Sequence, residues 1–328
     1  MSTQVLRYNS PFTLESGVEL HELEICFTTY GTCSPEQDNV IWIFHALTAN
    51  SDPLEWWHGI VGEGKLFDPT KYFIVCTNNL GSCYGTTGPD SIDPVSKKSY
   101  GAKFPLITIR DMVKVNDIVR QHLGIEKIQL VTGGSMGGQM ALEWAIQNPD
   151  LIENLVPIAT NARHSAWGIA YNEAQRMALD NQDKEKGLSA ARAIAMLSYR
   201  SYESYVKTQT DEIDTVDNFR ASSYQNYQGQ KLVKRFNSDS YHILSKAMDS
   251  HNLGRGRGSV EKALCEIKAK TIVIGIDSDN LFPIPEQEHI AEYIPDARIE
   301  IIDSLYGHDG FLIENDQLTE IMRNILEH

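Results

Sequence analysis

One stretch constrains the fold of this chain more than any other: Val131-Thr132-Gly133-Gly134-Ser135-Met136-Gly137-Gly138. It follows an apolar run ending in Val131 and precedes a helical pattern from Met136 to Asn148. The order is strand, sharp turn, helix, with Gly133-x-Ser135-x-Gly137 on the turn, the context of a nucleophile elbow. A serine squeezed between strand and helix sits in strained backbone, where neighbouring Cβ atoms would clash. Glycine at both flanks removes them. The hydroxyl then stands clear at the C-terminal edge of a sheet, and the helix start behind it offers free N–H groups to an anion. Small residues also gather where a helix and strand merely pack closely, so the motif gains its weight from the junction it occupies.

The 328 residues fit one α/β core carrying an insertion. A net charge of −15 argues against a nucleic-acid surface, which needs clustered Lys and Arg. An anionic substrate would need a local basic patch to overcome that global field. No apolar run approaches the ~20 residues of a membrane span. Met1-Ser2-Thr3-Gln4 lacks the features of a signal peptide, and the five cysteines are odd in number without a C-x-x-C pair. The expectation is a reduced, cytoplasmic chain. The histidines show no ligand spacing, so neither a metal nor a permanently bound cofactor is expected.

Alternation of apolar and polar residues over 11–30 predicts an antiparallel hairpin at the sheet edge, turning at Ser16-Gly17, with a β-bulge at His21-Glu22 where the alternation slips. Asn39–Phe44 and Tyr72–Val75 read as strands buried on both faces. Thr108-x-x-Asp111 resembles a capping box opening a helix that Gly124 ends. Further strands are expected at 128–131, 155–158, 271–276 and 298–302, with helices at 285–293 and at the C-terminus. Strand and helix alternate repeatedly, which implies a mostly parallel sheet with right-handed crossovers. From about 163 to 253 the pattern is helical only. The chain thus divides into a core, 1–162 and 254–328, and an inserted helical lid, 163–253. Gly254-Arg255-Gly256-Arg257-Gly258 closes the insertion and reads as a hinge, although its arginines are also candidates for holding phosphates.

A serine hydroxyl needs a base to take its proton, and the base works best when a carboxylate fixes its tautomer. Asp277-Ser278-Asp279 follows strand 271–276, and Gly307-His308-Asp309-Gly310 follows strand 298–302. The order Ser, acid, His, each at the end of a strand, is that of a hydrolase-type triad. Either aspartate serves on chemistry alone. An oxyanion would be met by the N–H of Met136, next to the nucleophile, and by one from the loop after strand 39–44, assigned to Leu47. His45, just before that loop, reads as a structural histidine.

These residues, with Leu80-Gly81-Ser82-Cys83-Tyr84-Gly85, the continuation Ala141-Leu142-Glu143-Trp144 and Ala162-Arg163-His164-Ser165-Ala166-Trp167, resemble the homoserine O-acetyltransferase family, acyltransferases of the α/β-hydrolase fold. The resemblance covers nearly the whole chain. It implies ping-pong transfer of acetyl from acetyl-CoA, through Ser135, to the hydroxyl of L-homoserine in methionine biosynthesis. It implies a triad of Ser135, Asp279 and His308, because Asp279 stands in the family's Ser-Asp-x-Leu-Phe-Pro pattern. Its substrate arginine and tyrosine map onto Arg200 and Tyr224, and Asp309, following the base, is placed to meet the acceptor's ammonium. It also implies a homodimer joined through the lid. Succinyl as donor group, or L-serine as acceptor, would need only a small change of pocket shape. A serine esterase uses the same triad with water as acceptor, whereas a non-catalytic binding protein would be expected to have lost a triad member.

Overall fold

The computed structural model describes residues 2–326. Ten strands are formed: β1 (Ser2–Tyr8), β2 (Phe12–Thr13), β3 (Glu19–Leu20), β4 (Leu23–Tyr30), β5 (Val40–Phe44), β6 (Phe73–Thr77), β7 (Ile128–Gly134), β8 (Ile152–Ile158), β9 (Lys270–Ile276) and β10 (Ala297–Ile302). Eight of them make one sheet in the order β1-β4-β6-β5-β7-β8-β9-β10. Pairing is parallel from β6 through β10, and antiparallel where β4 meets β6 and β1. The reversals at β6-β5-β7 bring the ends of β5 and β7 together in the middle of the sheet, where α/β folds place their ligands.

The expected edge hairpin is corrected in two respects. Its arms are only β2 and β3, a separate two-stranded sheet turning through Gly17 at φ +84°. No bulge spans His21-Glu22: β3 ends before them, and β4 begins after them on a new partner, β1. β1 itself escapes a period-based reading because its burial alternates only between exposed and half-buried.

The central strands are apolar on both faces because both faces are covered. Trp42 and Phe44 of β5 pack edge-on against Trp144, with centroids 4.9 and 5.4 Å away, while Ile41 and Ile43 join the core on the opposite face. Trp144 belongs to α3 (Met136–Gln147), which follows β7 directly. The earlier helices are α1 (Pro53–Trp56) and α2 (Ile109–His122), the latter opened by a complete capping box of Thr108 and Asp111. Between β8 and β9 the chain forms only helices: α4 (Ala166–Leu179), α5 (Lys184–Tyr199), α6 (Tyr202–Gln209), α7 (Arg220–Val233), α8 (Ser238–Asp249) and the short α9 (Val260–Leu264). The core closes with α10 (Ile284–Tyr293), α11 (Gly310–Ile313) and α12 (Asn315–Leu326). None of the described helices is long and apolar enough to cross a membrane.

The glycine-arginine run after the insertion is pinned by charge. Arg257 grips the buried Glu143 of α3 with both terminal nitrogens, at 2.5 and 2.8 Å, and Arg255 pairs with Glu15 at 2.8 Å. Arg110 of α2 bridges the two carboxylates, at 3.0 Å from Glu15 and 3.3 Å from Glu143. These arginines are therefore neutralised within the fold, which corrects the expectation that they are available to a phosphate. Burial alone would raise the Glu15 carboxyl, but the hydrogen bond and charge of Arg255, with help from Thr108 and Arg110, hold it at about 2. A carboxyl depressed in this way stabilises the fold above its unfolded pKa of about 4.3 and loses that contribution as pH falls through its folded value. Glu15→Gln is expected to flatten the fall of melting temperature between about pH 4.3 and pH 2; an unchanged acid limb would show that Glu15 does not carry it.

Candidate active site

Ser135 sits at the junction of β7 and α3 with φ +58° and ψ −125°, a conformation other residues rarely adopt. The serine itself takes the strained backbone, and neither flanking glycine needs a positive φ. Their role is close approach. A Cβ on Gly133 would lie 2.6 Å from the carbonyl carbon of Gly137, and one on Gly137 would lie 2.2 Å from the carbonyl oxygen of Phe44. β5, β7 and α3 thus converge at distances only hydrogen atoms allow. The Ser135 carbonyl accepts from Gly138 N, Gln139 N and Thr160 Oγ1. Met136 opens α3, so its N–H has no intrahelical acceptor.

The loop after β9 supplies Asp279, buried at 4% exposure, and the loop after β10 supplies His308, buried at 3%. His308 Nδ1 lies 2.7 Å from Asp279 Oδ2. The other carboxylate oxygen accepts from the N–H groups of Leu281 and Phe282, at 2.7 and 2.9 Å. Those two bonds fix the carboxylate and aim its free oxygen at His308. A carboxylate only accepts, so Nδ1 carries the proton and Nε2 keeps its lone pair. Phe282, Phe311 and Tyr199 surround the imidazole with ring centroids at 5.1, 5.5 and 5.7 Å, which fixes its plane. Asp277 instead is exposed and accepts from Ser304 N at 3.0 Å, bracing the His308 loop from beneath. Asp279→Asn is expected to cost about 10⁴-fold in turnover by favouring the wrong imidazole tautomer. Asp277→Asn should cost far less, and the reverse ranking of measured kcat values would transfer the role to Asp277.

Ser135 and His308 line one cavity of about 370 Å³, together with Leu47, Asp309, Arg192 and Tyr199. Leu47 lies on the loop after β5, which is shaped from below. His45 is fully buried; its Nδ1 bonds the Ala46 carbonyl at 2.8 Å, and its Nε2 accepts from Asn79 N at 3.1 Å. Burial lowers His45 to about 4, so it stays neutral and structural. Asn78 completes the brace, receiving Ser51 N and donating to Tyr84 O, each at 2.8 Å. That explains the polar, glycine-rich stretch 78–85: it buttresses the loop carrying Leu47. The stretch 162–167 likewise holds the acid loop, through Trp167 Nε1 donating to Asn280 O at 2.8 Å.

The expected substrate pair is only partly assembled. Asp309 lines the cavity, but Arg200 and Tyr224 line a separate hollow of about 150 Å³ beside Tyr205 and Tyr306. Arg200 Nε is already 3.0 Å from Asp309 Oδ2. The physical reason is register. Arg200 is the extended residue that ends α5, and its guanidinium turns over the Tyr306 ring, 5.2 Å from the centroid. The α5 residues that do enter the cavity are Arg192 and Tyr199, seven positions apart on one face, with the guanidinium 5.2 Å from the tyrosine ring. Among the described residues Arg192 has no carboxylate partner, whereas Arg200 does. Sequence reasoning missed this pair; its only trace is the i, i+7 spacing within an alanine-rich helix.

Residues 39–314 match the model of the alpha/beta hydrolase fold. A homoserine O-acetyltransferase from Cyclobacterium marinum is 47% identical over 99% of this chain and 95% of its own. The chain belongs to the homoserine O-acetyltransferase family. The crystal structure of homoserine O-acetyltransferase from Bacillus anthracis superposes with a TM-score of 0.92 at 23% identity, covering 100% of this chain and 98% of that one. Esterase E22 superposes almost as well, with a TM-score of 0.90 at 22% identity over 99% of both chains. The fold therefore does not separate transfer to an alcohol from transfer to water.

Proposed function

We propose that this protein is a homoserine O-acetyltransferase working by a ping-pong mechanism, with acetyl-CoA as co-substrate and Ser135, Asp279 and His308 as the triad. Ser135 Oγ bonds to the acetyl carbonyl carbon while His308 Nε2 takes its proton. The N–H groups of Leu47 and Met136 meet the resulting oxyanion. Collapse breaks the C–S bond, and His308 returns the proton to the departing sulfur, releasing CoA as its thiol. In the second half the acceptor hydroxyl gives its proton to His308 and bonds to the acyl carbon. Collapse breaks the ester bond to Ser135, which regains the proton as O-acetylhomoserine leaves.

The observation that carries the transferase reading over the esterase one is Arg192, which lines the cavity that holds Ser135 and has no carboxylate partner among the described residues. Water needs no such group. An amino-acid acceptor brings a carboxylate, whose desolvation a planar guanidinium fork offsets. Tyr199, from the same helix face, stacks beside the fork, and Asp309, whose Oδ2 Arg200 engages, keeps Oδ1 for the acceptor's ammonium. Residues 163–253 act as the lid that holds this acceptor over the acyl-serine and excludes water. The lid also exposes Met177, Leu197, Tyr202 and Ile213. We assign these exposed apolar side chains to contact with a second copy of the chain, to be checked by light scattering, where a monomer mass sinks the assignment.

The test of the function is mass spectrometry of products from acetyl-CoA or succinyl-CoA with L-homoserine, L-serine or neither. O-Acetylhomoserine should dominate. If acetate appears as fast without homoserine as with it, the protein is an esterase; dominant succinyl or serine products would change donor or acceptor within the same mechanism.

A further inference from the structure

The chain carries a net charge of −15, yet its proposed donor is a thioester of a polyanion. Arg255 and Arg257 are consumed by Glu15 and Glu143, so the cations that receive the donor's phosphates must lie elsewhere. The Ser135 cavity itself contains two more basic residues, Lys231 in the last turn of α7 and Arg235 just beyond that helix. Both are exposed, and neither has a carboxylate partner among the described residues.

Arg235 is held in a way that suits it to anion binding. Its Nη1 donates to the Thr48 carbonyl and, at 2.9 Å, to the hydroxyl of Tyr84; Nη2 reaches Thr48 Oγ1 at 3.4 Å. All three acceptors are neutral groups, and burial pushes the Tyr84 hydroxyl up, away from ionisation. The guanidinium is therefore fixed in position without being neutralised, and its Nε and a remaining Nη2 hydrogen are free to donate. Pre-fixing a side chain rich in rotamers lowers the entropy cost of ordering it on a ligand. Thr48 follows Leu47, so the same contact ties the lid to the loop that bears the oxyanion donor.

We infer that Lys231 and Arg235 form the site for the phosphate groups of the CoA thioester, at the mouth of the Ser135 cavity on the exit of α7. This rests on the acetyl-CoA reading above.

The experiment compares kcat/KM for acetyl-CoA, acetyl-dephospho-CoA and acetyl-pantetheine, the last of which has no phosphate. For Lys231→Gln and for Arg235→Gln, the ratio of acetyl-CoA to acetyl-pantetheine is expected to fall about tenfold, the scale of one charge-assisted hydrogen bond. Arg235→Lys should recover part of it. The wild-type preference for acetyl-CoA should weaken with added salt, because these cations are solvent-exposed. A fall already complete with acetyl-dephospho-CoA assigns the site to the 3′-phosphate; one that needs acetyl-pantetheine assigns it to the pyrophosphate. Because the readout is a ratio, general damage to the oxyanion loop cancels. An unchanged ratio in both variants overturns the inference. If the wild type accepts acetyl from none of the three donors, the acetyl-CoA reading itself has failed.

Discussion

Ser135→Ala is expected to lower acetyl transfer by at least about 10⁴-fold, the loss that follows removal of a triad nucleophile. Mixed with acetyl-CoA alone, the wild type should gain one acetyl in intact-mass spectra and the variant none. The backbone supplies a second, independent readout. Ser135 holds φ +58° and ψ −125° between two elements whose spacing is set by Gly133 and Gly137. A non-glycine residue there is strained by about 1–3 kcal/mol. Ser135→Ala keeps that strain, whereas Ser135→Gly relieves it at an unfolded-state entropy cost of about 0.5–1 kcal/mol. Relief of strain outweighs the entropy cost, so Ser135→Gly should melt above Ser135→Ala, while neither is expected to transfer acetyl. Acetylation of Ser135→Ala would remove the serine from the mechanism. Equal melting of the two variants would remove only the claim that the elbow stores strain.

The core was legible in the sequence where burial is two-sided. β5 is apolar at every position because both of its faces are covered, and no solvent-facing rhythm competes with that signal. β1 was invisible for the opposite reason: an edge strand of alternating exposed and half-buried residues carries no core pattern. The slip at His21-Glu22 was visible, but its meaning was not, since a bulge and a change of partner leave the same trace. In the site, the legible residues are those that the backbone itself delivers. Ser135, Asp279 and His308 each follow a strand end, and strand ends can be located from sequence. Arg192 is delivered by packing instead. It looks like any helix arginine until α5 is laid across the His308 loop, where the Tyr199 ring comes 5.7 Å from His308. Arg200 is the residue to which the family resemblance points, and its position at the end of the same helix is what turns it away toward Asp309.

That difference makes Arg192 and Arg200 separable by half-reaction. Arg192→Ala removes from the cavity a charge with no carboxylate partner among the described residues, so the protein before acceptor binding loses little. Ser135 should still take acetyl from acetyl-CoA at close to the wild-type rate. The acceptor's carboxylate then enters without its fork, and leaving a desolvated charge unpaired costs about 2–5 kcal/mol. Discharge of acetyl-Ser135 by homoserine should therefore slow by about 10²-fold or more, with most of the loss seen at low homoserine. Arg200→Ala does something else. It strips Asp309 of its 3.0 Å partner and leaves a carboxylate uncompensated next to His308 in the chain. That carboxylate changes the field at His308, the proposed base of both halves, so acetylation and discharge should slow together. Quenched-flow samples read by intact mass follow each step separately. If Arg192→Ala slowed both halves equally, or only Arg200→Ala slowed discharge selectively, the acceptor's carboxylate would belong to Arg200 and the cavity assignment would be wrong.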